Sequence, residues 1–304
     1  MISIVTSAYN ASKTIKTTIE SVLSQTYKNW ELIVVNDASS DNTSEIVLSY
    51  CKNDSRIKLI NHETNQGAGL ARRTGISNIS GEYMTFLDSD DYLSPETLEV
   101  LLYFIEKYNV DIVAPGFVIV DTNGKIVEER KPDKKIIQSK ASKFKPNKAD
   151  TKRFMNPMLI KSHLWNNVEY SSRRFIEDTP TLVQILYWAK NVMLLDFAGY
   201  HYVQNQTSLI HSASDIKYLI YKTLCCKDIT TFFKSVKAFN IFTDNFENMY
   251  KEVLNKCTDE DYIKYKDELL ELKQYYEQAS AYETYKNGSD YVTPNVSYIK
   301  EAKK

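Results

Sequence analysis

Along the first part of the chain, short apolar blocks alternate with longer amphipathic stretches. Ile2 to Ala8 is an apolar run that predicts a buried strand, and Ile15, Ile19, Val22 and Leu23 then mark one face of a helix. Trp30 to Val35 predicts a second strand, with Ile46, Val47 and Tyr50 on the helix that follows. Ile57 to Ile60 and Ala68 to Ile76 repeat the pair. Tyr83 to Leu87 begins it again, and Pro95 opens a helix running to about Tyr108. Strand–helix units of this length predict a mostly parallel sheet with right-handed crossovers. Ligands of such sheets bind beyond the carboxyl ends of the strands. That rule singles out Ser7-Ala8-Tyr9-Asn10, Asn36-Asp37 and Asp88-Ser89-Asp90-Asp91, which all follow predicted strands.

After Val110 the pattern changes. Phe117 to Val120 and Lys125 to Val127 flank Thr122-Asn123-Gly124, and Asn-Gly is a strong hairpin signal. Residues 130–153 form a lysine-rich stretch with Asp133 and Asp150 as acids after Arg130. Beyond it, Thr179 to Ala189 predicts a helix, and Val192 to Leu195 and Tyr200 to Val203 predict strands. From about Asp215 the signal is helical. Ile216, Leu219, Ile220, Thr223 and Leu224 form one stripe; Tyr262, Tyr265, Leu269, Leu272 and Tyr276 form another.

Composition narrows the partners. A formal net charge of −1 with 25% charged residues gives no global reason to expect nucleic acid. No apolar run approaches the roughly 18–20 residues that span a bilayer. Met1 leads straight into the first strand without a basic leader, and Cys51, Cys225, Cys226 and Cys257 have neither CxxC nor metal-ligand spacing. The expectation is a cytoplasmic chain with structural thiols.

Three carboxylates in four positions, Asp88, Asp90 and Asp91, stand where a buried strand meets solvent. Carboxylates held close repel, so such a cluster commonly recruits a hard cation such as Mg²⁺ or Mn²⁺, whose shell substrate phosphates complete. The same residues also suit a plain turn before the helix start at Ser94-Pro95. Asp37 could be an Asx turn into the next helix or an acceptor for a base imide or ribose hydroxyl. Tyr9 offers a stacking face or ordinary packing. Gly67-Ala68-Gly69 is not a dinucleotide fingerprint, because Arg72 stands at the third glycine position and the segment follows the third strand.

Taken in order, these segments resemble the family 2 inverting glycosyltransferases. The match runs through Ser3-Ile4-Val5-Thr6-Ser7-Ala8-Tyr9-Asn10, Ser21-Val22-Leu23-Ser24-Gln25-Thr26-Tyr27 and Trp30 to Thr43. It continues through Asn65-Gln66-Gly67, Ala71-Arg72-Arg73-Thr74-Gly75 and Phe86-Leu87-Asp88-Ser89-Asp90-Asp91, and thins after about residue 105. The resemblance implies a GT-A fold: an α/β, mixed but mostly parallel sheet flanked by helices, here with a C-terminal helical extension. Residues 1–212 are the expected catalytic domain, with 1–115 as its nucleotide-sugar half and 116–212 as its acceptor half; residues 213–304 are the helical region.

It also implies roles. Ala8 and Tyr9 match positions lining the nucleotide base, Asp37 a carboxylate reading a uracil-like edge, and Arg72 a basic residue near the nucleotide; Asn10, Gly67 and Ser89 join them. Asp88 and Asp90 match the D-x-D pair, Asp90 as metal ligand and Asp88 nearer the ribose, with Asp91 and His211 as further metal candidates. Phe175-Ile176-Glu177-Asp178-Thr179-Pro180 matches the segment carrying the base, so Asp178, ahead of Glu177, is the candidate. Asp178 and Thr179 would equally cap a helix. Where the family has Tyr-x-Tyr-Arg this chain reads Tyr200-His201-Tyr202-Val203, and Gln204 or His211 are stand-ins for the arginine.

The expected reaction is inverting transfer from a nucleotide-diphosphate sugar, a UDP-sugar first, to a hydroxyl of a glycan or lipid-linked acceptor, with Mn²⁺ or Mg²⁺. A catalytically silent nucleotide-sugar-binding module and a metal-dependent nucleotidyltransferase are the alternatives. The latter is disfavoured because no glycine-rich phosphate loop follows the first strand. Residues 130–153 are a solvated loop or a peripheral contact at the inner face of a membrane, and the C-terminal helices could pair two copies of the chain.

Overall fold

The computed structural model describes residues 1–138, 157–204, 214–236 and 243–287. By compactness it divides into two units, Met1–Ala213 with Asp228–Ile241, and Ser214–Lys227 with Phe242–Lys304.

In the first unit, β1 (Ile2–Ala8), β2 (Trp30–Asn36), β3 (Ile57–Asn61) and β4 (Tyr83–Phe86) pair in parallel, with β1 between β2 and β4. Helices α1 (Ile15–Leu23), α2 (Thr43–Cys51) and α3 (Ala68–Ile76) connect them. Nearly every residue of β1 and all of β2 are buried, as expected of parallel strands covered on both faces. One core packs Ile2, Ile4, Leu32 and Val34 against Ile15, Ile19 and Val47, and also against Leu98 and Leu101 of α4 (Thr97–Lys107). The other packs Val5, Met84 and Phe86 against Leu164, Trp165, Leu182 and Ile185.

The sheet order is β3-β2-β1-β4-β9-β6-β10-β5, with β7 on β6 and β8 on β10. Here β5 is Tyr92–Leu93, β6 Ile112–Val120, β7 Ile126–Arg130, β8 Lys135–Gln138, β9 Leu159–Lys161 and β10 Asn191–Val203. Short β9 runs antiparallel to both β4 and β6, while β6 and β10 are parallel, so the sheet is mixed. The connections out of β1 and β4 thus diverge, and the crevice at their carboxyl ends holds the conspicuous loops. The two strands expected after residue 190 are one strand, irregular between Leu195 and Tyr200. The hairpin at Asn123-Gly124 is present: Asp121 N–H donates to the Lys125 carbonyl and Gly124 N–H to that of Asp121, both at 2.9 Å. Of the basic stretch, residues 130–138 include the end of β7 and all of β8, whereas Lys140, Lys143 and Lys145 lie outside the described residues.

The second unit is helical, with a core of Ile220, Leu224, Tyr250, Val253, Tyr265, Leu269 and Leu272. Both apolar stripes therefore face inward here. Among the described residues no helix is long and apolar enough to cross a membrane.

Glu31 ties the sheet together at its far end. Its side chain, 5% exposed, accepts from Ser3 Oγ (2.6 Å), Ser80 N–H (2.6 Å) and Ser80 Oγ (2.8 Å), and pairs with Lys58 Nζ at 2.8 Å. Burial alone would raise its pKa, but the hydrogen bonds from Lys58, Ser3 and Ser80 outweigh it and hold the carboxyl at about 2, against 4.5. A depressed carboxylate stabilises the fold above its unfolded value, and that stability disappears as pH falls from about 4.5 towards 2. The shift is worth on the order of 3 kcal/mol. Glu31→Gln should therefore lower urea stability at neutral pH by up to that amount and flatten the acid dependence. Equal pH dependence in variant and wild type would contradict this.

Candidate active site

The loop after β1 is braced by the loop after β2. Asn10, in the left-handed region at φ 50°, takes hydrogen bonds from Ser40 N–H (2.9 Å) and Ser40 Oγ (3.3 Å), while its own N–H donates to Ser39 Oγ at 3.0 Å. Ala8 is buried and Tyr9 is 53% exposed.

Asp37 is buried, 2% exposed. Its Oδ1 is 2.8 Å from His62 Nδ1 and accepts from Gln66 N–H at 2.9 Å, while Oδ2 accepts from Gly67 N–H at 2.7 Å. The carboxylate is therefore not an Asx turn into α2. It shapes the loop that leads into α3. Gly67 (φ 91°) allows that turn, and Gly69 allows α3 to meet the segment before α5 (Asp178–Trp188). A Cβ on Gly69 would lie 2.3 Å from the Ser171 carbonyl oxygen and 3.0 Å from that of Arg173.

One turn along α3, Arg72 points into the crevice with its side chain 12% exposed. Its guanidinium pairs with Asp88 Oδ1 at 2.7 Å and with Glu177 Oε1, and the Tyr170 hydroxyl lies 3.4 Å away. A single cation thus joins the acidic loop after β4 to the Glu177-Asp178 pair, which are 89 positions apart (177 − 88). Ser89 is half-buried in the same loop.

The three aspartates of that loop have different surroundings. Asp91 is 1% exposed, with Oδ2 accepting from the Tyr200 hydroxyl at 2.6 Å and Oδ1 from Val203 N–H at 2.8 Å. Burial, then the charges of Asp88 and Asp90, push its carboxyl well above the usual range. With both oxygens engaged, Asp91 anchors the loop to β10. Asp90 is the opposite case. The residue as a whole is exposed although its carboxyl is desolvated, and among the described residues no side chain hydrogen-bonds to that carboxyl. Desolvation, then the Asp88 charge, push its carboxyl up to about 6. Such a group gains from a cation. Among the described residues no three His, Cys, Asp or Glu side chains converge on a metal position. The donor set fits an ion held by Asp90 with Asp88 and otherwise by phosphate or water, the habit of Mg²⁺. His211 lies outside the described residues.

Asp178 is the first residue of α5, and Glu177 occupies the N-cap position without a side-chain cap bond. Burial, then the Glu177 charge, push the Asp178 carboxyl up to about 6. The preceding Ile176 has φ 56°, an outlier for a β-branched side chain. Tyr200, His62 and Tyr170 complete the site without having been singled out individually, since their partners lie far away in sequence.

The fold is GT-A: the solved structure of S. aureus TarS (residues 1–349) in complex with UDP-GlcNAc superposes with a TM-score of 0.62 at 18% identity, over 96% of this chain and 93% of that one. Residues 3–167 match the model of glycosyl transferase family 2, and the chain belongs to that family. Streptococcus pneumoniae serotype 4 has a relative, glycosyltransferase GlyG, 27% identical over 300 residues, 91% of this chain and 96% of that protein. Escherichia coli WfgD, named a UDP-Glc:alpha-D-GlcNAc-diphosphoundecaprenol beta-1,3-glucosyltransferase, is 42% identical over 134 residues, 43% of this chain and 52% of WfgD.

Because the Gly69 contact is with backbone on the other side, Gly69→Ala should displace residues 171–177 and cost about 1–3 kcal/mol in urea unfolding. An unchanged midpoint would show that the two segments do not meet so closely.

Proposed function

We propose that the chain moves a sugar from a nucleotide-diphosphate donor, a UDP-sugar, to a hydroxyl of a glycan or lipid-linked acceptor, with inversion, in bacterial polysaccharide synthesis. The observation that carries this reading is the Arg72 bridge, which gathers Asp88 and Glu177 around one crevice. Support comes also from the UDP-GlcNAc bound by TarS and from the name of WfgD.

In this reading Tyr9 stacks on the base and the loop shaped by Asp37 and Gly67 borders it. Asp88, fixed by Arg72, turns its other oxygen to the ribose. The carboxylates Asp88, Asp90, Glu177 and Asp178 stand against the Arg72 guanidinium, so a diphosphate entering here needs added positive charge. Mg²⁺ or Mn²⁺ held by Asp90 and Asp88 would offset the charge growing on the leaving diphosphate. Asp178 accepts the proton of the acceptor hydroxyl as it attacks the anomeric carbon, and Glu177, held by Arg72, keeps the α5 start in place. A pKa raised towards neutrality makes Asp178 a stronger base than an ordinary carboxylate while leaving it ionised at pH 7.

A panel of UDP-sugars, UDP-glucose and UDP-N-acetylglucosamine included, with Mn²⁺ or Mg²⁺ and with EDTA, tests the reading through UDP release and UDP calorimetry. The expected result is turnover of at least one donor that chelation suppresses. Absence of metal-dependent UDP binding would overturn it. Asp178→Asn should lower kcat by about 10²–10⁴-fold with UDP affinity kept. In the wild type, kcat/KM should fall as pH drops through about 6, because protonation of Asp178 removes the base. A flat profile from pH 7 to 5, or near-normal turnover by the asparagine variant, would remove Asp178 from that role.

A further inference from the structure

The segment before α5 is irregular backbone, yet it carries Glu177 and leads directly into Asp178, the first residue of α5. Its two arginines leave it in different directions. Arg174 donates to the Asn65 carbonyl at 3.1 Å, towards the loop beside Asp37. Arg173 reaches a carboxylate 55 residues away: its Nε donates to Asp228 Oδ2 and its Nη2 to Asp228 Oδ1, both at 2.8 Å. This fork-on-fork pair is well shielded, with side chains 18% and 25% exposed, and its geometry fixes orientation as well as distance.

Asp228 sits on the helix Asp215–Ser235, and from Asp228 onward that helix belongs to the sheet unit. Farther along it, Phe232 and Phe233 meet the Tyr187 ring edge-on, with centroids 5.2 and 5.8 Å away. One stretch of helix therefore holds α5 just before its first residue and again near its last. Between these grips lies Ile176, whose left-handed backbone costs about 1–3 kcal/mol and persists only where its surroundings impose it.

We infer that Asp228 is a positioning residue for the transfer reaction: through Arg173 it fixes the backbone that presents Asp178 to the acceptor. This rests on Asp178 being the base. Asp228 does not touch the reacting atoms, and it lies beyond residues 3–167, the part that matches the family model. The chain thus uses a helix outside that part to set the last ångström of its site. A displacement of about 1 Å costs roughly 10²-fold in rate, so loss of the pair should register in kcat rather than in donor affinity.

The test is steady-state kinetics on the full chain, with the donor turned over in the UDP-sugar panel, for Asp228→Asn, Asp178→Asn and the double variant, together with UDP calorimetry and thermal unfolding. Asp228→Asn should lower kcat by about 10- to 100-fold and leave UDP affinity within about 2-fold. The double variant should be no slower than Asp178→Asn alone, because both changes act through one group. The reversed pair, Arg173→Asp with Asp228→Arg, should recover part of kcat. Should Asp228→Asn fail to fold, Arg173→Lys keeps the charge and loses the fork, and the same kcat loss is expected. Wild-type kcat in the folded variant, a matching loss of UDP affinity, or losses that multiply in the double variant would overturn the inference. If Asp178→Asn is slow and Asp228→Asn normal, only this inference falls. Near-normal turnover by Asp178→Asn, or no donor turned over at all, removes the base reading and this inference with it.

Discussion

A buried guanidinium must be paired, and Arg72 meets that demand with carboxylates from two distant segments, Asp88 after β4 and Glu177 before α5. The arrangement of the crevice follows from this. Leaving such a charge without partners costs about 3–5 kcal/mol, so neither segment can drift without a large penalty. The glycines at the start of α3 serve the same contact: Gly69 lets the helix lie against the Ser171 and Arg173 carbonyls, which puts Arg72 within reach of Glu177. Around this centre the carboxylates divide by surroundings. Asp91 and Asp37 are tied to the scaffold by hydrogen bonds, whereas no described side chain hydrogen-bonds to the Asp90 carboxyl.

This division explains why a chain of nearly balanced charge has a strongly acidic crevice. Membership of glycosyl transferase family 2 accounts for the order of the loops. In the proposed reading, a diphosphate entering this crevice needs a cation beside it. A corollary of the acidity is a raised Asp178 carboxyl, kept from easy ionisation by burial and by Glu177. In that reading the same electrostatics favour a bound cation and make Asp178 the stronger base.

The repeating strand–helix half was legible because β1 and β2 are covered on both faces and read as unbroken apolar runs. The acidic loop was legible as a place, since it follows a buried strand. The jobs within it were not. Asp91 and Tyr200 are 109 residues apart and meet only because β5 pairs with β10. Nothing local distinguishes Asp91 from Asp90. Asp37 likewise reads either as a turn residue or as an acceptor for a nucleotide, and its His62 and Gly67 contacts come from far along the chain. Of the edge strands, β7 was announced by the Asn-Gly turn, whereas β8 had no local turn signal because its partner β10 lies far along the chain. Arg173 and Asp228 carried no pattern at all, because an ion pair between an irregular segment and a helix has no sequence period.

The bridge can be measured directly. A double-mutant cycle of Arg72→Met with Glu177→Gln, read by urea unfolding at pH 7, isolates the energy that ties α3 to the segment bearing Asp178. A cation shared between the two acidic segments predicts losses that do not add, with a coupling energy of about 1–3 kcal/mol. Strictly additive losses would contradict it, and would mean that the two sides of the crevice are held together by something other than Arg72.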